Sequence, residues 1–239
     1  IGPQSQVNQN TTGTIYRPSI ATSNDTIAII YDAHLLTGGD SDIYVRPLFL
    51  NGSAKDNELR VNKNTTGQQF NPSIVPLMNG KYFAVWWGGQ TGTSHIYGII
   101  LNSDLKTTDT EFLVNENMTA NQGGPVPVIL PDGDVLVLWV DSQTGISDIY
   151  GRLFSPDGAA RGPEFRVNQD IAGQQFYIAA ESLPNGDVFV TWTGDQAGTR
   201  DIYGRVLDVA TLSSFLYPAP SPAPLPAPAP FPSPRPAPL

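Results

Sequence analysis

Short apolar runs alternate with polar turns along most of the chain, and the alternation keeps a fixed beat. In its last unit, residues 165–167, 177–182, 187–192 and 201–207 predict four short strands between turns rich in Gly, Asn and Asp. One run per unit alternates, becomes continuous and ends in a ring: Tyr31, Trp86, Trp139 and Trp192. A large ring at the same point of four units is expected as core between packed sheets. Asn79-Gly80, Asp132-Gly133 and Asn185-Gly186 precede three of these runs, with Asn24-Asp25 before the first. Such pairs predict two-residue type I′ hairpins, which need positive φ at both centres.

Ile43-Tyr44, Ile96-Tyr97, Ile149-Tyr150 and Ile202-Tyr203 are each 53 residues apart. Val7-Asn8, Val61-Asn62, Val114-Asn115 and Val167-Asn168 follow at spacings of 54, 53 and 53. Four copies of one unit therefore occupy most of the chain before residue 215, and a repeat outranks any local pattern. The phase leaves three units complete and the fourth without its last strand. Residues 4–8 match 58–62 and supply a candidate for it. The expected fold is all-β, a four-bladed β-propeller of about 53-residue repeats in which residues 4–8 pair beside 201–207 and close the ring. Residues 1–215 form this head, and 216–239 a separate tail.

The unit Glu164-Phe165-Arg166-Val167-Asn168, Leu183 to Trp192 and Asp201-Ile202-Tyr203-Gly204-Arg205 resembles tandem repeats of large secreted and surface-attached proteins, of the type EFRVN, LPDGGFVVTW, DIYGQR. The resemblance spans about residues 4–208 and implies a β-rich adhesion or scaffold module with no common catalytic set. The second unit departs from it at His95, Ile99 and Leu113. Asp42, Arg46 and Arg60 occur together in unit one, as Asp148, Arg152 and Arg166 do in unit three, whereas unit two loses all three. Their joint loss suggests a structural ion cluster in which one carboxylate bridges two guanidinium groups.

Proline occupies every even position from 218 to 238: Pro218, Pro220, Pro222, Pro224, Pro226, Pro228, Pro230, Pro232, Pro234, Pro236 and Pro238. Fixed φ and missing donors predict polyproline II. The alternation with Ala and Ser resembles hydroxyproline-rich glycoproteins of the algal and plant extracellular matrix, which implies hydroxylation and O-glycans on these prolines. Leu225 and Phe231 stand six residues apart, two turns of a threefold helix, and offer an apolar edge to another copy.

Composition narrows the location. The net charge of -9, with only 13 Lys and Arg, argues against nucleic acid as a partner. No apolar run is long enough to span a bilayer. Cysteine is absent, which removes disulfides, thiolate metal sites and thiol nucleophiles. Five sequons, at Asn10, Asn24, Asn51, Asn64 and Asn117, predict covalent N-glycans. Three of them follow the Val-Asn marker, and the chain starts without methionine; an extracellular glycoprotein, secreted or at the cell surface or matrix, is expected.

Catalytic chemistry is sparse. Arg46, Arg152 and Arg205 with Tyr44, Tyr150 and Tyr203 have sialidase-like residue types but sit at equivalent positions, whereas one substrate needs groups that differ between blades. Glu58, Glu111 and Glu164 recur as strand ends, and Glu181 alone is half of a carboxylate pair. His34 and His95 lack zinc spacing and are expected in exposed loops; Asp32, Asp40 and Asp42 offer oxygens but no EF-hand pattern, so neither metal nor cofactor is expected. The expectation is a non-enzymatic structural subunit of an extracellular fibril, matrix or appendage, joined head to tail with other copies through the tail. A carbohydrate-binding adhesion module is the alternative, and a propeller glycoside hydrolase the third.

Overall fold

The computed structural model describes residues 4–35, 39–89, 92–106, 110–208 and 212. They form four antiparallel sheets. Blade 1 comprises β1 (Gly13–Ser23), β2 (Thr26–Leu35), β3 (Ser41–Phe49) and β4 (Leu59–Arg60). Blade 2 comprises β5 (Gln69–Pro76), β6 (Tyr82–Gly88), β7 (His95–Leu101) and β8 (Phe112–Leu113). Blade 3 comprises β9 (Gln122–Ile129), β10 (Val135–Asp141), β11 (Asp148–Phe154) and β12 (Phe165–Arg166). Blade 4 has three strands, β13 (Gln175–Ser182), β14 (Val188–Gly194) and β15 (Asp201–Leu207). In every sheet the strands are ordered as in the chain. The first strand of each blade is innermost, since β1 packs on β5, β5 on β9 and β9 on β13. The all-β propeller architecture expected from the repeat is thus present.

The central strands of blades 2 and 3 are buried almost continuously because both faces of these blades are covered, whereas β13 and β15 of blade 4 alternate. Tyr82, Ala84 and Trp86 pack with Ile30, Ile43 and Val45 between blades 1 and 2. Phe83, Val85 and Ile96 on the opposite face pack with Val135, Val137 and Trp139 of blade 3. Leu136, Leu138 and Ile149 then meet Val188, Val190 and Trp192 of blade 4. The recurring rings are core, as their positions imply: Trp86 and Trp139 are fully buried.

Among the described residues the ring does not close. Residues 4–8 do not add to β15; they lie beside blade 1, where the Gln9 amide N–H donates to Glu58 at 2.8 Å and Gln9 Nε2 to Asn57 at 3.0 Å. Ile20 on the first blade and Ile202 on the last are 64% and 73% exposed. Sequence equivalence fixes which strand residues 4–8 resemble, but not which edge they reach, and here the two ends of the row stay apart.

The hairpins also differ from expectation. Gly80, Gly133 and Gly186 have positive φ (80°, 92° and 91°), whereas the Asn or Asp before each does not. The Gly80 N–H reaches Leu77 O at 3.0 Å and the Leu77 N–H reaches Lys81 O at 2.8 Å, a three-residue loop with a glycine bulge in place of type I′. The side chains of Asn79, Asp132 and Asn185 accept the backbone N–H two residues on, which holds the turn in this form.

The tail assignments, Pro218 to Pro238 with Leu225 and Phe231, lie outside the described residues. Among the described residues no helix is long and apolar enough to cross a membrane.

Candidate functional site

The innermost strand of each blade carries a bulge. Arg17-Pro18, Asn71-Pro72, Gly124-Pro125 and Tyr177-Ile178 each stand as two residues opposite one, respectively Tyr31, Trp86, Trp139 and Trp192. The first residue of every pair is left-handed, with φ of 50°, 51°, 61° and 51°. For Arg17, Asn71 and Tyr177 this backbone costs about 1–3 kcal/mol each. A strained bulge on the inner strand aims four residues at the mouth of the propeller axis.

Those four residues are all different, and so are Asp32, Trp87, Val140 and Thr193, which share one register position beside the bulge. The ring opposite each bulge is aromatic in all four blades, by contrast. A cleft of about 650 Å³ opens here, lined by Arg17, Asn71, Trp87, Gly124, Phe176 and Tyr177 among others. Arg17 donates from Nη1 to Asp32 at 3.1 and 3.3 Å and lies 5.3 Å over the Phe70 ring, which packs on Trp87. The Asn71 N–H adds a third bond to Asp32 at 3.0 Å. Asp32 is fully buried, and burial pushes its carboxyl above the usual range despite the Asn71 amide and the Arg17 guanidinium, which act in the opposite direction. The result is a cleft with one exposed cation, one amide and several rings, above a buried acid. Such a surface suits hydroxyl-rich ligands with an apolar face.

No family model matches the chain, and no curated protein does. Solved structures do. They include an endo-arabinase from Bacteroides thetaiotaomicron, at TM-score 0.52 and 13% identity over 87% of this chain and 79% of that one. A family 117 glycoside hydrolase from Zobellia galactanivorans matches at 0.55 and 14%, over 83% and 68%. An alpha-L-arabinanase from Penicillium chrysogenum complexed with arabinobiose matches at 0.56 and 17%, over 76% and 62%. The fold is shared with glycoside hydrolases.

That likeness corrects the expectation of a non-enzymatic fibril or matrix subunit. That expectation rests on arginines, tyrosines and glutamates that stand at equivalent positions of the units and so do not differ between blades as one substrate requires. The positions that converge at the axis do not recur, and they were hidden in the Arg-Pro, Asn-Pro and Gly-Pro steps, where a varying residue precedes a repeated proline.

Of the expected ion clusters only the Asp42–Arg60 pair forms. Asp42 reaches Arg60 only at 3.8 Å, and Arg46 bonds the Asp56 carbonyl. Asp148 contacts neither Arg152 nor Arg166 in a salt bridge; Arg152 pairs with Glu116 at 2.6 Å and donates to Val114 O at 3.0 Å. Residues four apart on a strand share a face but lie about 13 Å apart. The aspartates are held instead by the marker asparagines, Asn62 to Asp42 at 2.6 Å and Asn168 to Asp148 at 2.7 Å. His95 replaces the aspartate in blade 2 and is buried in β7, not in an exposed loop, bonded to Gln122 at 2.8 Å and Asn115 at 3.3 Å. Glu111 and Glu164 bind backbone N–H groups of the preceding blade, at Asn64 and Glu116, by distances of 3.1 and 2.7 Å. Among the described residues, no three His, Asp or Glu side chains converge as metal ligands. Asn24, Asn51 and Asn64 are exposed, whereas Asn10 and Asn117 are half-buried and the Asn117 amide donates to Gln143.

Proposed function

We propose that this protein acts on carbohydrate as a propeller of the glycoside hydrolase type, with the axial cleft as its substrate site. The observation that carries this is that the converging positions at the axis differ from blade to blade: Arg17, Asn71, Tyr177, Asp32 and Trp87 stand where equivalent blades carry other residues. Arg17 and Asn71 bond sugar hydroxyls, Trp87 and Tyr177 give a ring face for stacking, and Asp32 is the proton-handling acid beneath them. The cation favours a ligand with several oxygens or a carboxylated sugar. Hydrolysis by two carboxyls needs two acids at the substrate; Asp32 lies beneath the cleft and no carboxyl is among its described lining residues, so binding and turnover must be measured separately.

The test is calorimetric binding and reducing-end release with arabino-oligosaccharides and uronic acid oligosaccharides. Binding should weaken in Trp87→Ala and Arg17→Ala, and turnover should fall by about 10²–10⁴ in Asp32→Asn while binding persists. Equal turnover by the wild type and Asp32→Asn would remove the acid role, and no binding of either sugar class would remove the site. An extracellular setting with N-glycans at exposed Asn51 and Asn64 accords with this activity.

Asp32 also makes a stability prediction. Its folded pKa lies above the unfolded one, so protonation favours the folded state, and that contribution is lost as pH rises through the raised pKa. Asp32→Asn should therefore melt higher than the wild type at neutral pH, with the gap closing on acidification. A constant gap in thermal scans across the acid range would contradict it.

A further inference from the structure

The unclosed ends of the row fit each other. Within each of the first three blades the outer strand is pinned to its neighbour: the Val61 N–H donates to Ile43 O at 2.7 Å, Val114 to Ile96 at 2.8 Å and Val167 to Ile149 at 2.7 Å. The next asparagine closes the same edge, accepting from the N–H of Ile43, Ile96 and Ile149 at 2.7, 2.8 and 2.8 Å. Among the described residues blade 4 has no such outer strand, and the isoleucine at this position shows the consequence. Ile43, Ile96 and Ile149 are 0% exposed, and Ile202 is 73% exposed.

The segment equivalent to the missing strand lies at the other end of the chain, residues 4–8, and its marker asparagine already has the geometry of the others. Asn8 Nδ2 bonds the carbonyl two residues on, at Asn10, at 2.7 Å, as Asn62, Asn115 and Asn168 do within the other blades. Gln9 bonds Glu58 as Glu116 bonds Glu164. Residues 4–8 therefore sit relative to blade 1 as the outer strand of a preceding blade would. Beneath them is an apolar groove of about 560 Å³ that includes Val7, Ile15, Ile20, Ile29 and Tyr31. It lies where a preceding blade would bury its face.

We propose that residues 4–8 of one copy serve as the fourth strand of blade 4 in a second copy, whose exposed Ile202 enters that groove. The occupant is another copy because its blade 4 carries the matching half of an interface made three times within each chain. In the composite blade, Val7 N–H donates to Ile202 O, the Ile202 N–H donates to Asn8 Oδ1, and Asn8 Nδ2 faces Asp201. The two contact surfaces differ, so association runs head to tail. This inference is independent of what the cleft binds.

The full chain tests it. Sedimentation velocity should show mass rising with concentration, and Ile202→Asp should abolish the rise without lowering the melting temperature. The chain has no cysteine, so a Val7→Cys, Ile202→Cys double variant reports the pairing directly. Opposed strand positions lie about 5.5 Å apart at Cα, within disulfide reach. Oxidation should give a ladder of covalent multimers, and mixing the two single variants should give a mixed dimer and nothing larger. A monomer closed by its own disulfide would show that the ring completes itself, and no crosslink at all would show that the ends do not pair; either overturns the proposal.

Discussion

Replacing Asn168 with alanine is expected to cost about 3–5 kcal/mol, more than most surface or half-buried changes in this chain. The side chain is 2% exposed and closes three groups at once: it accepts from the Ile149 N–H and donates to Asp148 and to the Asp170 carbonyl. Asp148 is 0% exposed, so removing the amide leaves a buried carboxylate short of a donor as well as an orphan backbone N–H. Asn168→Asp should be worse at neutral pH, because it replaces the donor by a second acid, and should recover partly in acid. Asn8→Ala, at the equivalent position beside no complete blade, should be nearly neutral in the monomer. Urea midpoints at unchanged slope would check all three; an Asn168→Ala midpoint close to wild type would mean that water replaces the amide.

The second large effect is at Trp139. Its ring is 0% exposed and lies between blades 2 and 3 with Phe83, Val85 and Val137. Trp139→Ala should destabilise by about 3–5 kcal/mol through lost transfer energy and the cavity left behind. Phe189→Ala, on the open face of blade 4 and 43% exposed, should cost under about 1 kcal/mol. Comparable losses at both positions in chemical denaturation would mean that the blade 4 face is covered in solution.

The strands were legible because burial imposes alternation on them and the repeat multiplies each weak signal by four. Thus 201–207 was read to the residue as β15. Placement of residues 4–8 was not legible, since a repeat says which strand a segment resembles and says nothing of the partner molecule or edge. The marker asparagine was visible as a motif, but its role was not. The expected partners of Asp42 and Asp148 are arginines four residues along the strand and on the next one, whereas the nearer donor is the amide of Asn62 or Asn168. At the axis, the bulges break the period-two alternation, so no local pattern groups Arg17, Asn71 and Tyr177, and Tyr177 reads only as the start of the strand 177–182. Asp32 was noticed only as a possible cation ligand. Its actual partners, Arg17 and Asn71, come from two different blades, and long-range convergence of that kind leaves no local pattern.

An unclosed row has a different mechanical character from a ring. In a ring every blade is clamped from both sides, and opening anywhere breaks two interfaces. Here blades 1 and 4 are each held by one neighbour within the chain, so energy is shared as in a short stack of nearest neighbours. Amide protons of β6 and β10 should therefore be the last to exchange with solvent, while those of β1 and β15 follow local fraying at the ends. The protein's kinetic weak points are thus its two terminal blades, and whatever covers them sets its lifetime.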